Sequence, residues 1–181
     1  MTESSLLGVK NDVIKNFCQL KDTQHNLCHL ENVTKRALRA AQKYNLDLSL
    51  MEAVCYLHDL TFTEYKSGLK TYIFEGRLIT KILNNYLYKF GIDKNEKEII
   101  ITACRKHPHS FPFRRLNKKS DLYTKILQDA DTLDYFNEKR MKSFFDKRTP
   151  PLYPVYKLLK VIRSRFMKIF LNLPYETYEN K

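Results

Sequence analysis

The sequence predicts an all-α fold, a single-domain helical bundle with a basic C-terminal helix, and three observations carry that expectation. Only 4 Gly and 6 Pro punctuate 181 residues, too few for the many tight turns of a sandwich or barrel built from short strands. Apolar residues recur at intervals of three and four, the stripe of an amphipathic helix. Ser, Asp and Glu stand where a helix start needs side chains to satisfy exposed backbone N–H groups.

The first helix is expected over about Ser4 to Leu20, with Leu7, Val13, Ile14, Phe17 and Leu20 on its apolar side. From about Gln24 to Tyr44 the stripe is Leu30, Val33, Ala37, Ala41 and Tyr44, and His25 and His29 share a face beside it. Ser49-Leu50-Met51-Glu52 reads as a capping box opening a helix that runs through Val54 and Leu57 to His58-Asp59. A longer segment, about Lys70 to Phe90, carries Ile73, Leu78, Ile82, Leu83 and Leu87 and stops at Gly91. Asp93 with Glu96 signals the next start, and Pro108 and Pro112 end that helix beyond Arg105. Ser120 or Asp121 caps a helix whose buried row is Leu122, Ile126, Ala130 and Leu133. Thr149-Pro150-Pro151-Leu152-Tyr153-Pro154 breaks the chain, and a basic amphipathic helix is expected from about Val155 to Leu173.

The charge is lopsided. The net formal charge is +12; residues 1–100 carry 14 basic and 12 acidic side chains, whereas residues 101–181 carry 18 and 8. Such a surplus favours an anionic partner for the second half. With 43% hydrophobic residues the chain is globular rather than a disordered polycation. Cys18, Cys28, Cys55 and Cys104 form no C-x-x-C pair, so they read as buried thiols of a reducing, cytoplasmic compartment. No apolar stretch reaches transmembrane or signal-peptide length.

Histidines are scarce, five in all, and they fall where polar chemistry gathers. His58-Asp59 closes an otherwise apolar helix, where a buried carboxylate needs a cation as partner. His29 lies on the helix before it, and Asp131 lies on a late helix in Asp129-Ala130-Asp131-Thr132-Leu133-Asp134. Two imidazoles and two carboxylates from three helices suit a borderline divalent metal. Cys28 adjoins His29 but points about a third of a turn away, toward the core.

His29, His58-Asp59 and Asp131 in an Ala-Asp-x-Leu-Asp context resemble the HD superfamily of metal-dependent phosphohydrolases, over about Asp22 to Phe136. Within it, the chain resembles the small stand-alone branch reading His, His-Asp, a His-Ser after a helix, and Asp-Ala-Asp-x-Leu-Asp. His109-Ser110 and Asp129 to Asp134 supply the last two. The resemblance implies an HD-type phosphohydrolase domain over 1–148, with 149–181 a Pro-rich turn and C-terminal helix packed on the same domain. It implies His29, His58, Asp59 and Asp131 as metal ligands, with His25 a rival to His29. Asp129 would stand behind the ligands or on the helix face, and Asp134 would orient a ligand or meet substrate.

The loop after Asp59 departs from branches whose catalytic Glu lies three residues beyond the Asp; Glu64 is the acid or base that could approach from this loop. His107 and His109 compete for one position, and Ser110 favours His109.

The chemistry expected of such a site is phosphoester hydrolysis, with Asp59 orienting or deprotonating a metal-activated water. Mn, Fe, Co or Ni suit mixed imidazole and carboxylate donors, with Mg a further option. Lys66, Arg105, Lys106, His109, Arg114 and Arg115 are the expected contacts to phosphate oxygens. The expected partner is a phosphorylated small molecule, a nucleotide first, with nucleic acid as an alternative. Competing with the enzyme reading are a non-catalytic HD module that binds polyanions and a terminal helix that lies on anionic lipid.

Overall fold

The computed structural model describes residues 1–20, 25–108, 116–135, 137 and 167–179, and the described residues are helical with no strand. The helices are α1 (Glu3–Cys18), α2 (Leu27–Lys43), α3 (Leu48–Leu57), the single turn α4 (Thr61–Glu64), α5 (Leu69–Tyr86), α6 (Lys94–Lys106) and α7 (Leu122–Tyr135). Short 3₁₀ turns follow at Leu87–Phe90, Met167–Phe170 and Tyr175–Thr177.

Local chemistry explains the boundaries. Asn26 caps α2 by accepting from the His29 N–H at 3.0 Å. At its other end Asn45 takes the left-handed conformation (φ 52°) and the Leu46 N–H reaches back to the Ala41 carbonyl, a Schellman closure. The expected capping box at α6 is present: Asp93 accepts from the Asn95 and Glu96 N–H groups while Glu96 accepts from the Asp93 N–H. The one expected at Ser49 is not. Asp47 caps α3 instead, accepting from the Leu50 N–H at 3.0 Å, which moves the helix start upstream of Ser49. Asp121, not Ser120, caps α7 through the Thr124 N–H. Gly91 (φ 61°) ends the 3₁₀ turn after α5, as its lack of Cβ permits.

α2 runs through the middle of the bundle, packed on α3 and α7, while α5 lies on α6 and α1 on α3. Ala37, Ala40 and Ala41 of α2 are fully buried, and these small side chains let neighbouring helices approach closely. Leu30, Val33, Val54, Leu57, Ile79, Leu83, Ile100, Ile126 and Leu127 fill the core. Three stripes differ from expectation. On α1 the buried row is Val9, Val13 and Phe17, and Leu7 is 59% exposed. Tyr44 leaves the stripe of α2 because it is already the C-cap. On α5, Thr71, Glu75, Ile79, Leu83 and Tyr86 face inward and Ile73 faces water, so the buried row contains a carboxyl group.

The Pro-rich break, the proposed boundary at 148/149 and most of the expected terminal helix lie outside the described residues. Its described end is not helical to Leu173: after the 3₁₀ turn at Met167–Phe170 the chain bends, burying Leu171 and leaving Ile169 exposed. Asp129 holds this segment. Its Oδ1 accepts from the Asn172 N–H (2.7 Å) and side-chain amide (2.8 Å), and its Oδ2 from the Leu173 N–H (2.9 Å) and the Tyr178 hydroxyl (3.0 Å). Asp129 therefore faces the tail and not the ligand cluster. Lys118 and Lys43 add bonds to tail carbonyls.

The cysteines divide. Cys55 and Cys104 are fully buried, and burial pushes both thiols well above their usual range. Cys18 and Cys28 are exposed, because each lies on the outward side of its helix, so the expectation of four buried thiols holds for two. A thiol reagent should therefore label two cysteines in the native protein and four after denaturation, with peptide mapping assigning the fast pair to Cys18 and Cys28; rapid labelling of Cys55 or Cys104 would contradict this packing. Asp129→Ala strands several buried donors and should cost about 3 kcal/mol, read as a Tm lowered by roughly 6–12 °C.

Candidate metal centre

Four helix ends and one helix interior build the site. His29 sits in the first turn of α2, fixed there by the Asn26 cap. His58 is the C-cap of α3 and His107 the C-cap of α6, and both rings turn back in the same way. The Nδ1 of His58 bonds the Cys55 carbonyl (2.6 Å) and that of His107 the Cys104 carbonyl (2.7 Å). Each bond satisfies a carbonyl left open at a helix C-terminus and assigns the ring proton to Nδ1. The Nδ1 of His29 bonds Asp134 Oδ2 at 2.8 Å. All three Nε2 atoms thereby face the interior.

They converge there with carboxylate oxygens. His29 Nε2 lies 3.2 Å from His58 Nε2, 3.1 Å from Asp59 Oδ2 and 3.4 Å from Asp131 Oδ1. Asp59 Oδ1 lies 3.4 Å from His58 Nε2 and 3.7 Å from His107 Nε2, and Glu75 Oε1 lies 3.5 Å from His107 Nε2. Two overlapping donor groups result, His29/His58/Asp131 and His58/Asp59/His107, each with ligand atoms within 4.8 Å of one another.

The electrostatics are those of a site built around positive charge. Asp59 is 3% exposed, and no donor is aligned on its Oδ2; the His29 Nε2 beside it is the acceptor end of a ring whose proton is committed to Asp134. Acceptors facing one another in a buried space are unfavourable unless a cation lies among them. Burial pulls His58 down to about 4, so its imidazole is neutral at neutral pH. Burial would raise Asp59, but the surrounding His58, His25, His107 and His29 outweigh it and hold the carboxyl well below its usual range. Burial pushes Glu75 up to about 8. Burial works to lower His107, yet Asp59 and Glu75 prevail and raise it to about 9, so without a cation in the cluster this ring is protonated, and a metal would have to displace its Nε2 proton. Neutral imidazole and ionised carboxylate are the forms that ligate a metal, and the three-nitrogen, two-carboxylate set fits a borderline divalent ion.

Of the residues singled out in the sequence, His29, His58, Asp59 and Asp131 come together. Asp134 stands behind His29, its other oxygen 2.9 Å from the Arg36 guanidinium, so of its two expected positions it takes the orienting one. His25 is stacked on Phe62 (centroids 3.6 Å apart) and belongs to neither donor group. Glu64 is exposed at the end of α4 with no polar contact to the cluster among the described residues, because the single turn of α4 points it outward. Lys66 and Arg105 are exposed; His109, Arg114 and Arg115 lie outside the described residues.

Of the competing pair, His107 joins a donor group, whereas His109, the one Ser110 favoured, lies outside the described residues; Cys104-Arg105-Lys106-His107 repeats the spacing of Cys55-Tyr56-Leu57-His58 at a helix end. One residue of the centre was missed. Glu75 lies one turn before Ile79 on the inward row of α5, off the stripe of Ile73, Leu78, Ile82, Leu83 and Leu87 that the sequence suggested, and carried no signal of its own.

Comparisons with known proteins agree with this fold. The model of the HD domain family matches residues 26–135. Among solved structures, Bacillus subtilis YpgQ in complex with ADP is 22% identical with a TM-score of 0.69, the match covering 96% of this chain and 86% of that one. A predicted HD superfamily hydrolase from an uncultured Thermotogales bacterium is 20% identical with a TM-score of 0.60, covering 91% and 90%. No curated protein matches. With the family model spanning well over half of the chain and the His, His-Asp and Asp positions meeting in one buried cluster, the chain belongs to the HD-domain family.

Proposed function

We propose that the protein is a metal-dependent phosphohydrolase acting on a nucleotide or related phosphate ester. The observation that carries this reading is the convergence of three imidazole Nε2 atoms on Asp59 and Asp131, with Asp59 Oδ2 buried and lacking a donor. His29, His58, Asp59 and Asp131 would hold the ion, with His107 adjoining them in the second donor group. When bound, a divalent metal supplies Lewis acidity toward phosphate oxygen and lowers the pKa of water.

The chain's own residues supply position and proton control. The Cys55 and Cys104 carbonyls fix the His58 and His107 rings, and Asp134, braced by Arg36, fixes His29. Asp59 Oδ2, held ionised by the surrounding imidazoles, is placed to accept a hydrogen bond from an incoming water and orient it. Nitrogen-rich ligation favours Mn, Fe, Co or Ni over Mg. The ADP bound to the Bacillus subtilis structure supports a nucleoside phosphate as the substrate class. Four free cysteines suit a reducing, cytoplasmic setting, and no helix of the described residues is long and apolar enough to cross a membrane.

The reading is tested by metal titration of the purified chain beside phosphate release from a nucleotide panel. Wild type should bind Mn or Ni and release phosphate, and His58→Ala should lose both while keeping its helical circular dichroism; a metal-loaded wild type that cleaves no phosphoester overturns the proposal. Asp134→Asn, which alters only the residue behind His29, should weaken metal binding by about 10–100-fold, measured by competition with a chelating dye, and an unchanged affinity would remove Asp134 from the supporting shell.

A further inference from the structure

The two oxygens of Asp59 face two different sets of donors. We propose that the cluster holds two divalent cations bridged by this carboxylate, the second ion bound by Asp59 Oδ1, His107 Nε2 and Glu75 Oε1. The inference deepens the phosphohydrolase reading and rests on its metal site at His29, His58, Asp59 and Asp131, but not on the reaction assigned to that site.

The distances divide the donors. Asp59 Oδ2 stands 3.1 Å from His29 Nε2, on the side of Asp131, whereas Asp59 Oδ1 stands 3.7 Å from His107 Nε2. Glu75 Oε1 completes the second set, 3.5 Å from the same nitrogen. Both separations around His107 are longer than an N–H···O bond. They are close to the spacing of neighbouring ligands on one ion, roughly 3.0–3.5 Å for bonds of about 2.1 Å. His58 belongs to both donor groups, but its Nε2 has a single lone pair and serves one ion. A carboxylate has two oxygens, so Asp59 is the shared residue able to serve both.

The crossing of α5 and α6 builds the second set. A Cβ on Gly76 would lie 2.5 Å from the Arg105 carbonyl oxygen, so the helices touch main chain to main chain there. That contact brings Glu75, the residue before Gly76, to His107, whose ring the Cys104 carbonyl holds at 2.7 Å. Glu75 is 6% exposed in a row continued by Ile79 and Leu83, a place where packing alone calls for an apolar side chain. A cleft of about 570 Å³ opens beside the crossing, lined in part by Phe74, Gly76 and Pro108, the chain neighbours of Glu75 and His107. An ion entering the second set displaces the protons held on Glu75 and His107. Asp59, Asp131 and Glu75 then carry three negative charges. One divalent ion among them would leave net negative charge facing a phosphate; two leave net positive charge, as phosphoester chemistry requires. With two oxygens to one nitrogen, the second set suits Mn better than Ni.

The test is titration of the metal-stripped full chain with Mn, read by elemental analysis after desalting and by electron paramagnetic resonance. Wild type should retain two Mn per chain and show the exchange-coupled spectrum of a bridged pair. Glu75→Gln should weaken the second ion by about 10-fold or more while the first binds as in wild type, and should give the six-line spectrum of isolated Mn. His107→Gln should do the same, and both variants should keep the helical circular dichroism of wild type. A wild type that saturates at one Mn, or shows two without coupling, overturns the bridged pair, and so does a folded Glu75→Gln that keeps two coupled ions. The two readings separate in the same samples. One Mn with phosphate release removes the second ion and leaves the hydrolase, whereas a coupled pair that cleaves no phosphoester leaves the binuclear centre and removes the hydrolase.

Discussion

Burying three imidazoles and two carboxylates among apolar helices is the constraint on which the rest of this structure depends. Each ring is affordable only because its outer nitrogen has a fixed partner: the Cys55 carbonyl for His58, the Cys104 carbonyl for His107 and Asp134 for His29. Those partners do two things at once. They satisfy groups that a low-dielectric interior penalises, and they turn the inner nitrogens toward one another and toward Asp59. The cluster is orderly at its rim and electrostatically incomplete at its centre, the arrangement expected of a cation site.

α7 couples that centre to the far end of the chain. At 100° per residue, Asp131 and Asp134 lie about 60° apart on one side of the helix, whereas Asp129 lies well round from both. Asp131 and Asp134 accordingly meet His29, and Asp129 gathers the tail through Asn172, Leu173 and Tyr178. The acidic run that reads as one motif is thus two devices facing opposite ways. Tail and ligand share a rigid element, so anchoring residues 171–179 also fixes where Asp131 stands.

The crossing of α5 and α6 works similarly. Gly76 permits direct backbone contact, and from that contact follow both the approach of Glu75 to His107 and the cleft beside it. Glu75 introduces a carboxyl that burial keeps protonated at neutral pH into an otherwise apolar row. Its presence there makes the inner end of α5 part of the polar centre rather than of the hydrophobic core.

The helical period, the Asp93 and Gly91 stop and start signals and the scarcity of Gly and Pro are local properties, and local properties determined the all-α class and most helix boundaries. Four ligand candidates were legible for the same reason: His29, His58, Asp59 and Asp131 are polar residues in or beside apolar helical rows, in a recognisable order. What tertiary structure alone decided was which way each side chain faces. Ser49 and Asp47 both offer a cap for α3, and only the path of the chain selects Asp47. Leu7 and Ile73 fit a helical stripe yet meet water, because burial depends on which neighbour covers a face. Glu64 and Glu75 are both near the motif in the chain, and the turn at α4 sends one outward while the α5–α6 contact brings the other in. Sequence thus determined the elements and the donor types; packing between helices distant in the chain decided which donors meet.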